Sequence, residues 1–215
     1  MKQFVLFLHG RYRQADLPFY KKLCRSKIKV AVNGGLSFFR KAGIVPDMLV
    51  GDLDSADRHL QNLSPKTEVL TFPRRKNKTD SQLAVEHFIA RKARRIDMVV
   101  PALGQPDHFA ANLLLPTLAG VSAWAKRGGR FRIISRAYEV AYVVDGEVSF
   151  SGCIGHIVSL TPLSRQIVLS CEGTEYDVSG ARIPRGHTRA LRNRIDARRA
   201  VFRIKGEVLV WHLFR

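Results

Sequence analysis

The sequence is short of cysteine, of acidic side chains and of long apolar runs, and each shortage argues against a class of protein. The three cysteines, Cys24, Cys153 and Cys171, are far apart and odd in number, which argues against a disulfide-stabilised secreted protein. They form neither a CxxC pair nor a Cys/His ligand spacing, so we expect them to be small buried apolar side chains. No run of about 18 consecutive apolar residues occurs, so we expect no membrane span.

The scarcity of acids gives the chain a strong positive charge. Lysine and arginine total 36 against 18 aspartates and glutamates, a formal net charge of +18. Such a charge suggests a polyanionic partner, which could be nucleic acid, an anionic membrane or a phosphorylated small molecule. The excess is spread over both halves of the chain, and the aromatic-rich RNA-binding motifs are absent. We therefore expect no nucleic-acid partner, and the charge alone does not choose among the other polyanions.

The first ten residues, MKQFVLFLHG, contain a short apolar run that ends at His9 and Gly10. The run is too short for a signal-peptide core with its cleavage site, and it suits a first buried strand better. Together with the cysteine content, this predicts a cytoplasmic protein.

Residues 1–125 are predicted to form an α/β domain. With 46% hydrophobic residues, the 215-residue chain can build one large or two small cores. Continuous apolar strands alternating with helices predict a parallel sheet with helices on both faces. The predicted strands are Phe4–Leu8, Ile28–Val32, Met48–Val50, Glu68–Phe72 and Ile96–Val100, and the predicted helices are Pro18–Arg25, Leu36–Ala42, Ala56–Leu63, Ser81–Arg94 and Phe109–Ala125.

Residues 126–215 are predicted to form an all-β sandwich. After Gly128 and Gly129 the pattern becomes short apolar runs separated by turn residues, beginning with Phe131–Ser135. The stretch VDGE at 144–147 predicts a hairpin, because Asp-Gly tolerates the positive φ angles of a tight turn.

Polar residues follow predicted strands at four places, where an open α/β sheet builds its sites. Asn33 precedes Gly34 and Gly35, which permit a close turn, and Asp52 and Asp54 stand two residues apart after the third strand. Aspartates so placed can hold a hard cation such as Mg²⁺, although Asp54 could simply cap a helix.

The third and fourth places each lie at a helix entrance. Lys76 and Lys78, with Arg74 and Arg75, are cations suited to a chain of phosphates, and Asp80 can join the same metal. Thr79 or Asp80 as a simple helix cap is the structural alternative. The fourth place is the pair Asp107 and His108, for which a helix cap at Asp107 is again the alternative.

The motifs NGG, PDMLVGDLDS, KNKTD, DHFAAN and GHIVSLTPLS occur in an order and spacing that resemble the thiamine pyrophosphokinase family. The resemblance implies transfer of a pyrophosphoryl group from ATP to the thiamine hydroxyl, with release of AMP, by a cytoplasmic homodimer. The first domain would then bind nucleotide and catalyse transfer, and the β-sandwich would bind substrate and form the dimer.

The family's site residues map onto this sequence one by one. The resemblance implies that Mg²⁺ binds to Asp52, Asp54 and Asp80. A carboxylate near the acceptor hydroxyl can take its proton, and Asp80 and Asp107 are the two candidates. The residues implied near ATP are Asn33, Gly34, Gly35, Lys76, Lys78, Thr79, Gln105 and His108, and those implied near the acceptor are Arg192 and Asn193.

Four positions depart from the family pattern. Asn33 and Asn77 stand where aspartate is usual, Gln105 replaces an arginine, and Arg192 replaces a serine. Asparagine offers an oxygen to a metal but no charge, so we expect weaker metal binding. If Arg192 faces the acceptor, its charge would favour an anionic or neutral heterocycle over cationic thiamine. The alternative function is a nucleotide- or cofactor-binding protein that has lost transfer.

Overall fold

Strands and helices alternate through the first unit, residues 1–136, as the sequence predicts. The structure is a computed structural model that describes residues 2–52, 63–101 and 105–214. Six strands pair in parallel in the order β4-β3-β2-β1-β5-β6. Their bounds are β1 Gln3–Phe7, β2 Ile28–Val32, β3 Met48–Gly51, β4 Glu68–Thr71, β5 Arg95–Val99 and β6 Arg130–Ile134.

Five helices are described in this unit, with short 3₁₀ turns at 14–16, 33–35 and 115–117. Their bounds are α1 Leu17–Leu23, α2 Leu36–Ala42, α3 Asp80–Ala90, α4 Pro106–Leu114 and α5 Ala119–Lys126. The single helix predicted over Phe109–Ala125 is wrong. A 3₁₀ turn at 115–117 divides it, because Pro116 has no backbone N–H to continue the helical hydrogen bonding. The helix predicted over Ala56–Leu63 lies almost entirely outside the described residues.

Helices cover both faces of the parallel sheet because successive side chains of a strand point to opposite sides. Phe7 of β1 stacks on Phe38 of α2, with ring centroids 3.9 Å apart, in a core that also contains Tyr20 of α1. Phe4 points to the other face and stacks on Phe88 of α3 at 4.2 Å. The predicted α/β architecture is confirmed.

The boundary between the two units falls later than the sequence predicts. The prediction ended the first domain at residue 125 and made Phe131–Ser135 the first strand of the antiparallel half. The structure instead pairs β6 in parallel with β5, from Arg95 opposite Arg130 to Val99 opposite Ile134, and the first unit ends at Arg136. An isolated five-residue apolar run carries no information on whether its neighbour is parallel, which is why the sequence misassigned it.

The second unit, residues 137–215, is rich in antiparallel strands. Its strands are β7 Tyr138–Ser151, β8 Ile157–Pro162, β9 Gln166–Glu172, β10 Val178–Pro184, β11 Asn193–Arg194 and β12 Arg199–Leu213. The long strand β12 pairs with β7 along its length, with β9 through its first half and with β8 through its second. These strands contribute to one core, in which Leu169, Val158 and Phe202 are buried.

The predicted hairpin at VDGE is wrong. Residues 144–147 lie inside the continuous strand β7, opposite a register shift of β12 between Ile204 and Glu207. Asp145 does adopt a positive φ of 40°, and its carboxylate accepts a hydrogen bond from Gly206 N at 2.7 Å. The Asp-Gly pair therefore bends two paired strands together instead of reversing the chain. Among the described residues, no helix has both the length and the apolar character needed to span a membrane.

Candidate functional site

Two aspartates distant in sequence meet at the carboxyl edge of the parallel sheet. Asp52 follows β3 directly, and Asp80 opens α3. The Thr79 hydroxyl caps α3 by accepting a hydrogen bond from Gln82 N at 3.2 Å, so that the Asp80 carboxylate is available for other contacts. Of the two caps considered from the sequence, the structure selects Thr79.

Asn33, Asp52, Lys76 and Asp80 form a group that we call the carboxylate cluster. The Lys76 ammonium lies 2.6 Å from an Asp80 oxygen and 3.0 Å from an Asp52 oxygen. The Asn33 amide nitrogen donates to the other oxygen of each carboxylate, at 2.6 Å and 3.2 Å respectively. The lysine and both aspartate side chains are 13 to 16% exposed. Asp54, the third predicted metal ligand, lies outside the described residues.

The cluster has more acid than base among the residues that the structure describes. Burial alone would lower the pKa of Lys76, but its hydrogen bonds with Asp80 and Asp52 outweigh that effect and raise it. The lysine therefore stays charged at neutral pH and offsets one of the two carboxylates. Two carboxylates held this close repel each other unless cations neutralise them. An all-oxygen, acid-rich group of this kind has the donor chemistry that Mg²⁺ prefers.

Gly51 fixes the position of Asn33 within the cluster. Its φ of 154° is a conformation that residues with side chains rarely adopt. A Cβ atom at this position would collide with the Asn33 amide oxygen. The absence of a side chain at residue 51 thus lets Asn33 lie against the end of β3 and reach both aspartates.

A cavity of about 210 Å³ adjoins the cluster and is lined by Asn33, Asp80 and Thr79 on one side and by Gln105 and His108 on the other. All five were predicted near ATP or the metal. Three polar lining residues were not predicted, namely His9, Ser81 and Asn112. His9 could have been found, because it follows β1 as Asn33 follows β2. The Ser81 hydroxyl donates to the buried Asn112 side chain at 2.8 Å, a contact between two helices that the sequence does not reveal.

Other predicted residues of the first unit lie apart from the carboxylate cluster. Lys78 pairs with Glu86 at 2.7 Å and is half exposed. Asp107 is exposed, and its carboxylate accepts a hydrogen bond from the adjacent His108 backbone at 2.8 Å. The helix cap considered at Asp107 is wrong, because α4 begins at Pro106 and Gln105 occupies the cap position. Gly34 and Gly35 complete the 3₁₀ turn that leads from Asn33 into α2.

The second unit contains a cavity of about 550 Å³ that Asn193 lines. The Asn193 side chain accepts from Tyr176 N at 3.1 Å and donates to Tyr176 O and to the Thr174 hydroxyl, both at 2.9 Å. Asn193 thus holds the loop that forms one wall of the cavity. Arg192 is exposed beside it with a φ of 59°, and its backbone N–H donates to the Ser159 hydroxyl.

Comparisons with known proteins identify similar chains among the thiamine pyrophosphokinases. Residues 19–119 match the family model described as thiamin pyrophosphokinase, catalytic domain. The thiamine pyrophosphokinase of Bacillus subtilis is 25% identical over 187 residues, which is 84% of each chain. The chain is similar to thiamine pyrophosphokinases, as its motifs predict. The matched residues include the carboxylate cluster and the cavity wall from Asn33 to Asn112.

Solved structures share the fold of this chain. The crystal structure of the Bacillus subtilis thiamine pyrophosphokinase has a TM-score of 0.81 at 22% identity, covering 99% of this chain and 100% of the other. The thiamin pyrophosphokinase of Candida albicans has a TM-score of 0.77 at 14% identity, with 99% and 90% covered. At these identities the likeness concerns the fold, including the strand-rich second unit, which lies beyond the matched family model.

Proposed function

We propose that this protein transfers a pyrophosphoryl group from ATP to the hydroxyl of thiamine or a related hydroxymethyl heterocycle, in a Mg²⁺-dependent reaction that releases AMP. The observation that carries the proposal is the meeting of Asp52 and Asp80 around Lys76 at the carboxyl edge of the parallel sheet. The similarity to the thiamine pyrophosphokinase of Bacillus subtilis supports it.

The carboxylate cluster would bind the metal ion of Mg²⁺-ATP, and the adjoining cavity would bind the nucleotide. Asp52 and Asp80, together with Asp54, would hold Mg²⁺, which when bound neutralises charge that develops on the phosphoryl oxygens. Such electrostatic preorganisation contributes about 3 kcal/mol for each well-placed group. Lys76 adds a positive charge that is already fixed by two ion pairs. The cavity residues, including Gln105 and His108, would contact the nucleotide.

The transfer requires a proton acceptor. The acceptor hydroxyl oxygen would bond to the β-phosphorus, the bond from that phosphorus to the AMP oxygen would break, and the hydroxyl proton would pass to a carboxylate. Asp80 and Asp107 were both predicted for this role. Asp80 lines the cavity, whereas Asp107 is exposed and is not among the residues that line it, so we assign the role to Asp80.

The second unit would supply the acceptor site, with Asn193 at its cavity. The cytoplasmic location and the homodimer implied by the family motifs remain predictions. Arg192 bears on the acceptor only if its guanidinium reaches bound substrate, where it would favour anionic or neutral heterocycles over thiamine.

Nucleotide binding without transfer is the second candidate, and the contacts of Asn33 favour it. Where the family has aspartate, Asn33 donates to both carboxylates and, with Lys76, satisfies all four carboxylate oxygens by protein groups. Asn77 and Gln105 also replace charged residues of the family pattern. A protein with these changes would still bind ATP but would not transfer the pyrophosphoryl group.

One pair of measurements separates the two candidates. The purified full-length protein is incubated with ATP, Mg²⁺ and thiamine, and AMP is quantified with and without the acceptor. Transfer predicts AMP only when thiamine, Mg²⁺ and ATP are all present. The binding candidate predicts a higher melting temperature with ATP and Mg²⁺ but no AMP with any acceptor, a result that would overturn the proposed reaction.

A panel of acceptors tests the role of Arg192. We expect thiamine, pterin and pyrimidine alcohols to differ in the rate of AMP formation. If Arg192 faces the acceptor, an Arg192→Ser variant shifts the preference toward cationic thiamine. An unchanged order of preference would place the guanidinium away from the substrate.

A further inference from the structure

The second unit brings Cys153 and His156, which are three residues apart, together with His212 of the last strand. The thiol of Cys153 and one ring nitrogen from each of His156 and His212 all lie within 4.8 Å of one another. The two imidazole nitrogens are 2.8 Å apart. The sequence analysis expected Cys153 to be a small buried apolar side chain and found no Cys/His ligand spacing. Cys153 is half-buried and packs against the core of the second unit, but the spacing to a histidine was missed. That expectation overlooked His156, three residues away, and His212, which only the pairing of β12 brings close.

A tight turn holds Cys153 and His156 side by side. His156 N donates to Cys153 O at 3.0 Å across four residues, and Gly155 has a φ of 84° at the third position. This is the geometry of a type II turn, which requires glycine there. The turn is also fixed from outside by hydrogen bonds between Gly155 N and Ile195 O and between Ile195 N and His156 O.

His212 reaches the turn from the last strand with a carboxylate behind it. On β12 it pairs with Val158 of β8, two residues after His156, and with Glu139 of β7 on its other side. Its Nε2 faces His156, while its Nδ1 lies 3.9 Å from a Glu139 oxygen. The 3.9 Å separation is too long for a hydrogen bond, but it places Glu139 on the side of the ring from which a carboxylate that accepts the N–H orients a metal-binding histidine and raises its basicity.

The surroundings of the trio also suit a bound ion. Phe150 and Phe214 lie against the His212 ring, with centroids 4.6 Å and 5.0 Å away, and His212 is 7% exposed. Cys153 and His156 are only half-buried, so an ion can enter from solvent. A hydrogen-bonded imidazole pair would account for the two histidines alone. It would not account for the carboxylate behind them, and the Cys153 thiol, which donates to Ser151 O at 3.4 Å, still presents its sulfur to both rings.

We propose that Cys153, His156 and His212 form a binding site for a Zn²⁺-class cation, with Glu139 orienting His212 and a fourth coordination position open to solvent. Thiolate and imidazole select zinc-class ions over Mg²⁺. In tetrahedral zinc sites the ligand atoms lie roughly 3.5 Å apart, and the separations here, from 2.8 Å to at most 4.8 Å, span that value. The site is separate in chemistry from the all-oxygen carboxylate cluster.

The test uses Co²⁺ as a spectroscopic substitute for Zn²⁺ on the full-length reduced protein. We expect a near-ultraviolet sulfur-to-cobalt charge-transfer band that saturates at one ion per chain and disappears when Zn²⁺ is added. Cys153→Ser should abolish the band, and His156→Asn should remove or weaken it at least about tenfold in Co²⁺ affinity. Absence of the band in the parent protein, or its persistence in Cys153→Ser, would overturn the proposal.

Two matched variants keep the result specific. Cys24→Ser removes a thiol whose pKa is raised to about 11 by burial, so it should leave the band unchanged. Asp80→Asn alters the carboxylate cluster and should also leave it unchanged, which separates this site from the proposed Mg²⁺ site. Loss of the band in either variant would contradict the ligand assignment.

A measurement on the parent protein covers the case in which a ligand variant fails to fold. X-ray absorption at the zinc edge should show one sulfur and two imidazole nitrogens around Zn²⁺ added at one equivalent. Glu139→Gln should weaken Zn²⁺ affinity by about tenfold, the effect expected of an orienting carboxylate. A shell of oxygen and nitrogen without sulfur would exclude the site.

Discussion

Two aspartate clusters in the first unit have opposite charge balances. In the carboxylate cluster, Asp52 and Asp80 share the single ammonium of Lys76. Asp97 of β5 instead contacts three cations, Lys27 at 2.7 Å, Arg95 at 3.0 Å and Arg132 at 2.9 Å, and its side chain is fully buried.

The difference shows which cluster can accept a further cation. Although burial opposes ionisation, hydrogen bonds from Arg132 and Lys27 lower the pKa of Asp97 to about 2. Its charge is already more than balanced, so an added ion would be repelled, and we interpret the cluster as structural. The carboxylate cluster retains an excess of acid among the described residues. It lies at the sheet edge where parallel α/β folds bind ligands.

The largest expected effect is the loss of stability in Asp97→Asn. The change would leave three cations close together without their carboxylate, and breaking a buried ion pair in this way costs about 3–5 kcal/mol. Urea denaturation measures it as a fall in the free energy of unfolding. The control is Asp47→Asn, whose half-exposed ion pair with Lys29 should contribute less than about 1 kcal/mol. Equal losses in the two variants would remove the distinction between buried and exposed carboxylates.

Asp80→Asn should have the opposite character, with a large effect on activity and a small one on stability. We expect AMP formation to fall about 10²–10³-fold, the range for loss of one electrostatic group in a transition state. The free energy of unfolding should change by less than about 1 kcal/mol, because an amide oxygen can still accept from Lys76. Turnover equal to that of Asp47→Asn would refute the assignment of the site.

We expect the ionisation of Asp97 to account for part of the pH dependence of the free energy of unfolding. Its pKa in the folded protein, about 2, lies below the ordinary value of 3.8, so its contribution is complete above that value and is lost as the pH falls toward 2. The shift corresponds to about 2 kcal/mol. Urea titrations from about pH 5 to about pH 3 should show the parent protein losing its advantage over Asp97→Asn. A difference that stays constant over that interval would contradict the shift.

The smallest expected effect is that of Asn33→Asp, which restores the acid of the family pattern. Without Mg²⁺ the additional carboxylate repels Asp52 and Asp80, and we expect the melting temperature to fall slightly. With Mg²⁺ the fall should reverse, and the Mg²⁺ concentration for half-maximal stabilisation should decrease about tenfold. Asn77→Asp, outside the cluster, is the matched control. A Mg²⁺ response equal to that of the parent protein would show that residue 33 does not affect the ion.

The meeting of Asp52 and Asp80 could be predicted because parallel topology constrains it. The carboxyl ends of parallel strands share one edge, so polar residues after different strands converge there whatever their separation in sequence. The same rule reaches His9 after β1, and applying it to every strand would have found that residue. The prediction assigned β6 to the antiparallel half and was wrong, because an apolar run does not specify whether its neighbouring strand is parallel or antiparallel.

The second unit was less predictable because its key contacts join distant strands. Asp145 and Gly146 have the local signature of a hairpin, but the partner that decides their conformation is β12, about 60 residues later. The same strand carries His212 to Cys153 and His156, a grouping that a search of local spacing cannot detect. Strand pairing over such separations depends on the packing of the whole unit.

The absence of a side chain at Gly51 limits which residues fit at position 33 of the carboxylate cluster. The Asn33 side chain occupies the space that a Cβ atom on residue 51 would need. Gly51 therefore limits the size of the side chain at residue 33, although it has no side chain of its own. Aspartate and asparagine have nearly the same size, so exchanging them alters the charge beside Asp52 and Asp80 without disturbing the packing. A longer glutamate or glutamine would have to leave that space, so the charge at residue 33 can change by the exchange of one atom without a change in the backbone.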